Sequence, residues 1–565
     1  MTKPSKSPFA DSRTTRGAQI AWATLICATL YVCYFSHLGV LGFVGPDEPR
    51  YAWIAREMME SHDWTTPRLY GKPWFEKPPL FYWGAGLAFK WLGVSEAAAR
   101  LPSAIYALLA TIAIAWLAIR LYGHETARWS LLLLPTTAGM IGFSHAAATD
   151  MPFSAMFTIA MVCAAAVLGL TRSQNTPILP RTPWLALILF GFFLGAAVLA
   201  KGPAAIILCG GAVLFWALLT KRRHDLLRLF HPVAIATFCA TALPWYVRCA
   251  RRNPDFLRVF IIEHNFKRFL TPEFQHIQPF WYYLPVLLVA FLPWTGAMVW
   301  TAVVGGVRLA KSTFLSPHTG LFLSWSMFVV LFFTLSKSKL PGYVLPAVPS
   351  LALMLARSYE KLAIERRKSF GFSLAVVAIV GVVVSGIAVS MFSYASLASQ
   401  QVKLAFATLL AVIVVANGIL AFGFLCFRSQ WKLNVVASAA VVPVVFALVM
   451  ANKLADGILS NSPKCLAEQL HAQHVPPNRT FVHHGVGRTL RLGLNFYMQQ
   501  EVSDWDQNPD EDAYVVSGSL NCERLHKEGF DCVDVPLGSS ASGWFVSHVT
   551  PRNLSSSLPR SGQPH

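Results

Sequence analysis

Charge is what the sequence has least of. Only 13% of its residues are charged, against 55% apolar, whereas a soluble domain carries about a quarter of its residues as charges. That shortage excludes a water-facing surface over most of the 565 residues, so lipid has to be the solvent. A nucleotide-binding glycine loop is missing too. Gly485-Val486-Gly487 lacks the third glycine of a dinucleotide fingerprint and reads as having no strand-to-helix setting. Of the 10 cysteines, all but Cys465, Cys522 and Cys532 lie in or beside apolar runs, where cysteine behaves as a small hydrophobe. Cys522 and Cys532, in a polar tail, are a candidate disulfide if that tail faces an oxidising compartment. No small-residue cleavage site follows the first apolar run, which therefore reads as an uncleaved span.

Apolar runs fill the space. About thirteen of them approach or exceed the roughly 20 residues that cross a bilayer as helix. The net charge of +19 does not point to nucleic acid, because Lys and Arg fall in short clusters between the runs. Arg120 to Arg128, Arg172 to Arg181, Lys221 to Arg228, Arg308 to Lys311, Lys361 to Lys368 and Arg428 to Lys432 occupy alternate loops, the positive-inside pattern. This predicts a cytoplasmic tail over 1–17, an all-α polytopic membrane domain over 18–451 with a first outer loop at 39–100, and a soluble outer domain over 452–565. In the loop, Pro49 to Glu60 places Tyr51, Ile54, Ala55 and Met58 on one side at helical spacing, as in a helix lying at the interface. In the tail, short apolar stretches at Thr480 to Val482 and Ala513 to Val516 predict strands of a small α/β fold.

With the basic loops on one side, the opposite side receives the chemically suggestive residues. Asp47 and Glu48 are adjacent acids at a membrane boundary, where ionisable groups mark polar sites, although acids at a helix start also serve as caps; Arg50 follows. Glu76-Lys77 is an ion-pairable dipeptide stiffened by Pro78 and Pro79, and a fixed ammonium binds phosphate as a point charge. Asp150 stands at the mouth of a span, and Lys201 sits in a tight turn between two others. Glu263 to Phe269 holds an acid, an imidazole and two cations, with Arg268 able to fork onto phosphate and His264 able to share a divalent cation with Glu76. Ser336 to Tyr343 offers hydroxyls, ammoniums and a phenol for an anionic head group. Two acids with several cations on one face describe a place where phosphate leaves or attacks.

These stretches resemble a known family. GPDEPRYAWIAREM from Gly45, FEKPPLFYW from Phe75, ATDMPF from Ala148, AKGP from Ala200, EHNFKRF from Glu263 and SKSKLPGYVLPAVP from Ser336 are similar to the aminoarabinose transferases that modify lipid A. That family lies within the protein O-mannosyltransferase-like superfamily of GT-C fold enzymes. The resemblance implies a thirteen-span inner-membrane glycosyltransferase, N-terminus cytoplasmic and C-terminal domain periplasmic. Such an enzyme moves 4-amino-4-deoxy-L-arabinose from undecaprenyl phosphate to lipid A and confers resistance to polymyxin and cationic peptides. It implies Asp47 as the catalytic acid, with Asp150 and Glu48 as further acids. Lys77, Arg268 and Tyr343 would hold the carrier phosphate, with Lys201 and Arg50 as additional cations. No cofactor is required, a divalent cation on Glu76 and His264 remaining open, and the partners are the two lipid substrates and the surrounding lipids. Pro49 stands where some relatives carry threonine, and the tail beyond Asn452 matches no family motif.

Two other classes fit many spans. A transporter of polyprenyl-linked sugars should show inverted repeats and a midplane site, neither of which is visible; an export scaffold does not require acids and cations gathered at one face. Within the enzyme class, an acceptor that is protein or another glycan is the alternative.

Overall fold

The computed structural model describes residues 16–171, 183–271, 277–310, 315–365 and 400–427, isolated positions between 368 and 442, and most of 462–550. Helix α1 (Arg16–Tyr34) precedes a short helix, α2 (Asp47–Glu60), and the hairpin β1 (Arg68–Leu69) with β2 (Lys72–Pro73). Then come α3 (Leu80–Leu92), α4 (Glu96–Tyr122), α5 (His124–Leu133), α6 (Ala138–Ser144), α7 (Asp150–Val167), α8 (Trp184–Lys201), α9 (Ala204–Leu219) and α10 (Pro232–Arg252). A π-helical segment, Arg258–Lys267, continues into the single turn α11 (Arg268–Leu270), followed by α12 (Tyr283–Ala290), α13 (Thr295–Ala310), α14 (Pro317–Leu335), the 3-10 turn Pro341–Ala347 and α15 (Val348–Glu365).

Among the described residues five helices are long and apolar enough to cross a membrane, namely α4, α7, α8, α10 and α14, and four shorter apolar helices accompany them. The chain is a multi-pass membrane protein. The number of long helices falls below the thirteen apolar runs partly because some runs are broken: Thr137 caps the start of α6 after a turn from α5, splitting one run into two helices. The basic loop 172–182 and much of 366–461 lie outside the described residues.

Helix α7 sits at the centre. Nearly all its residues are buried, as expected for a helix that is apolar all round and surrounded by others. Close approach comes from small residues. A Cβ on Gly191 of α8 would collide with Thr237 and the Ala234 carbonyl of α10, and one on Gly195 would come within 2.8 Å of Thr241 Cβ.

The interfacial helix forms as the pattern predicts, starting two residues earlier. Tyr51, Ile54, Ala55 and Met58 of α2 are at most 3% exposed and pack against α3, where the Gly86 position admits no side chain without pressing on the Ala55 carbonyl and Trp64. Trp83 Nε1 donates to the Trp64 carbonyl (2.8 Å) and Trp245 Nε1 to that of Thr65 (2.9 Å), pinning the loop to α3 and α10.

The C-terminal region folds as α/β. A four-stranded sheet runs in the order β3 (Thr480–Val482), β4 (Ala513–Ser517), β6 (Phe545–Thr550), β5 (Asp531–Asp534). β3 and β4 are parallel, with Thr480 opposite Tyr514, and the remaining pairs are antiparallel. Cys522 and Cys532 are joined, Cα to Cα 5.7 Å. One expectation is corrected: Gly485 to Gly487 does lie between a strand, β3, and a helix, Arg488–Met498. The fingerprint's third glycine would fall on Leu490, which is buried in the domain core, so the pattern remains incomplete.

This domain docks on the segment that leads into α2. Phe43 N–H donates to Tyr497 Oη (2.9 Å), which donates to Glu96 Oε1 (3.1 Å); Lys464 pairs with the same Glu96 oxygen at 2.9 Å. Asn495 Nδ2 donates to Tyr70 Oη (2.7 Å), and the rings of Phe43 and Phe496 meet edge to face at 4.8 Å.

Candidate active site

The two suspect acids that follow a span, Asp47 and Asp150, each open a helix, and neither helix has a side-chain cap on the preceding residue. The start of a helix favours negative charge, so the backbone alone accounts for acids there. Their further contacts set them apart. Asp47 accepts from Arg50 Nη2 at 2.6 Å while its own side chain stays 52% exposed. Arg50 reaches on through Nη1 to Glu76 Oε2 (3.1 Å), and the other Glu76 oxygen takes Lys77 Nζ at 3.4 Å. Asp47, Arg50, Glu76 and Lys77 thus form a chain of alternating charge, open to solvent at Asp47 and buried at Glu76.

Around that chain, several buried donors lack an acceptor among the described residues. Among the described residues no hydrogen-bond partner reaches Arg50 Nε, Trp74 Nε1 or Tyr82 Oη. Arg50 lies over the rings of Tyr51 (5.1 Å) and Trp74 (5.6 Å), and Tyr82 packs against Tyr51 at 5.9 Å. Burial, reinforced by the Glu76 charge, holds the Tyr82 phenol well above its usual range, so it is a neutral O–H donor at physiological pH. Buried donors left unpaired cost about 1–3 kcal/mol each and call for an external acceptor. Trp74 and Tyr82 escape sequence reading, because an aromatic beside a membrane reads equally well as an interfacial anchor.

A second cluster lies at the head of α7. Lys201 Nζ contacts Asp150 Oδ1 at 2.5 Å and sits over the Tyr343 ring at 4.6 Å. Gly342 supplies the room, since a Cβ there would overlap the Asp150 carboxylate and approach Phe143 Cε1 at 2.9 Å. The turn carrying Tyr343 meets the loop carrying Arg268: Lys337 N–H donates to the Phe269 carbonyl at 3.0 Å. Ser338 Oγ in that turn is buried with no partner among the described residues. Lys339 Nζ donates to the Ser336 carbonyl (2.7 Å), and desolvation together with Lys337 pulls its ammonium below the usual lysine range. The Arg268 side chain lies outside the described residues.

Glu48 has a different occupation. Its oxygens accept from Arg100 Nε (2.9 Å) and Nη2 (2.7 Å), from Ala147 N–H (2.7 Å) and from Val44 N–H (2.7 Å). Arg100 also donates to the carbonyls of Leu38, Leu41 and Gly42. With four donors on a buried carboxylate, Glu48 is a structural tie that fastens the Asp47 segment to the turn leading into Asp150.

His264 lies on the π-helical segment that covers Gly202, whose missing Cβ leaves room for Phe260. Glu76, its suggested metal partner, gives both oxygens to cations of the chain itself. A cluster with three possible metal ligands does occur among the described residues, Cys522, His526 and Cys532, but its thiols are joined in the disulfide.

Residues 20–260 match the dolichyl-phosphate-mannose-protein mannosyltransferase family. The chain is similar to the undecaprenyl phosphate-alpha-4-amino-4-deoxy-L-arabinose arabinosyl transferases of Erwinia tasmaniensis (33% identical, 56% of each chain) and Edwardsiella ictaluri (33%; 62% of this chain, 61% of the relative). These alignments span little more than half the length of either relative. The enzyme of the same name from Serratia proteamaculans aligns over 88% of this chain and 89% of its own at 29% identity. In fold, the crystal structure of ArnT from Cupriavidus metallidurans bound to undecaprenyl phosphate superposes with a TM-score of 0.74 at 22% identity, covering 93% of this chain and 98% of that one. The chain is thus similar in sequence to aminoarabinose arabinosyl transferases and shares the fold of the ArnT crystal structure.

Proposed function

We propose that the protein is a glycosyltransferase that moves 4-amino-4-deoxy-L-arabinose from undecaprenyl phosphate to a phosphate of lipid A, at the periplasmic face of a bacterial inner membrane. The observation that carries this is the set of buried donors, Arg50 Nε, Trp74 Nε1 and Tyr82 Oη, left open beside Lys77 and Asp47. A departing phosphate is a tri-oxygen acceptor that develops charge as the bond to the sugar breaks, and fixed donors aimed at that charge lower the barrier. Arg50, Lys77 and Tyr82 receive the carrier phosphate, with Lys201, Tyr343 and Arg268 as the wider cationic lining.

In the step, the anomeric C–O bond to the carrier phosphate breaks, its electron pair stays on that phosphate, and an oxygen of the acceptor phosphate forms the new bond. The acceptor oxygen is already anionic at neutral pH, so no strong base is needed. Asp47, half exposed at the end of the charge chain, holds the sugar's ammonium over the leaving group, and Asp150 with Lys201 lines the second side. The Cys522 to Cys532 disulfide supports placing the C-terminal domain on an oxidising side of the membrane.

Mass spectrometry of lipid A from cells with and without the gene tests the reading. A gain of one aminopentose supports it. An unmodified lipid A alongside a newly glycosylated protein or other glycan would move the acceptor, and no modification of any kind would remove the transferase reading.

A further inference from the structure

Helix α10 carries an unexplained stripe. One face is packed through Ala234, Ala242, Trp245 and Cys249, while Leu243, Pro244, Val247, Arg248, Arg251 and Arg252 are exposed. Cys239, Leu243, Val247 and Arg251 recur every four residues, one line along the helix, and the line borders a shallow groove of about 720 Å³. Its lower part is apolar and its upper end holds three arginines.

That end lies on the side of the candidate active site. Trp245 Nε1 donates to the Thr65 carbonyl, Asn253 to Thr66 Oγ1 (3.0 Å), and Arg252 pairs with Asp63 at 3.0 Å. The arginines therefore stand on the side that the positive-inside pattern leaves poorer in cations, where a cation calls for a local reason. Arg252 has one in Asp63. Arg248 and Arg251 form no ion pair among the described residues. A guanidinium pair above a column of lipid-facing apolar side chains complements one kind of molecule, an anionic lipid with its phosphate between the arginines and an acyl chain along Val247 and Leu243.

We propose that this stripe is a docking site for an anionic phospholipid of the surrounding leaflet, held by Arg248 and Arg251. The site is separate from the Arg50 and Lys77 cluster and does not depend on the proposed reaction.

A benzophenone amino acid placed at Val247, with the full-length protein in nanodiscs of equimolar phosphatidylglycerol and phosphatidylcholine, reads the neighbouring lipid directly. Irradiation is expected to give adducts enriched in phosphatidylglycerol by roughly twenty-five-fold, from about a factor of five for each of the two arginines. The same probe at Ile112 of α4, a lipid-facing position 50% exposed, is expected to report the bulk ratio. The R248Q/R251Q variant, checked for unchanged elution and melting, should bring Val247 to the bulk ratio as well. Equal adducts at Val247 in the parent protein, or enrichment that survives the double substitution, overturns the proposal.

Discussion

Asp47 and Glu48 are neighbours in sequence and opposites in structure, and replacing each by its amide separates a chemical role from a mechanical one. Glu48→Gln keeps the side chain's size but removes the charge facing Arg100, a guanidinium 3% exposed, and puts an NH2 group where a carboxylate oxygen had accepted two donors. Breaking a buried pair by removing one partner costs about 3–5 kcal/mol. Because Arg100 keeps three backbone acceptors, the lower end, about 3 kcal/mol, is expected. Glu48→Gln should therefore melt well below the parent protein in detergent, followed by tryptophan fluorescence, and lose transfer in proportion to unfolding. Asp47→Asn loses only a half-exposed ion pair, worth little; it should melt with the parent and lose at least about a hundredfold in transfer. If Glu48→Gln melts normally and is inactive, Glu48 belongs to the chemistry. If Asp47→Asn transfers normally while folded, the catalytic assignment of Asp47 fails.

Tyr82→Phe removes one phosphate donor and should lower turnover by roughly tenfold to a hundredfold with intact folding; an unchanged rate in a membrane assay would make the phenol a packing element. Gly342→Ala drives a methyl into the Asp150 carboxylate and off its contact with Lys201, so transfer is expected to fall about a hundredfold, as for a misplacement of about 1 Å, and normal activity would count against the Asp150 cluster. In the C-terminal domain the hydrogen bond from His548, with help from Arg479, holds the Asp512 carboxyl below its usual range. A depressed folded-state value stabilises the domain above the unfolded carboxylate value and is lost as pH falls from there through the lower folded value. Asp512→Asn should flatten that acid limb in melting curves taken below about pH 4, and an unaltered limb would refute the link.

The bilayer made the membrane domain easy to read, because a run of apolar residues with no polar periodicity has few alternatives. α2 was legible for a related reason: Tyr51, Ile54, Ala55 and Met58 fall on one face and must be covered. Asp47, Lys77, Asp150 and Lys201 stood out as candidates because charges beside membrane spans are rare. The pattern could not divide the labour between Asp47 and Glu48, since the difference rests on Arg100, 52 residues away. Nor could it single out Tyr82, whose role depends on which other side chains fail to reach it. The strand at Thr480 to Val482 was expected, but the helix Arg488–Met498 that follows it was not, so the strand-to-helix setting of Gly485 to Gly487 was missed.

The clasp of Tyr497 on Phe43 and Glu96 has a consequence for biosynthesis. The segment before Asp47 emerges among the first parts of the chain, while Tyr497 and Lys464 are made after the last span. The acid therefore reaches its final setting only when the C-terminal domain has been made and has closed back on the segment before Asp47. A chain halted before Ser462 is expected to insert fully and still lack an ordered Phe43 segment. Supplying the missing piece as a separate exported polypeptide should restore the proposed transfer if the clasp alone is what the incomplete chain lacks, making synthesis of the C-terminal domain the event that completes the candidate site.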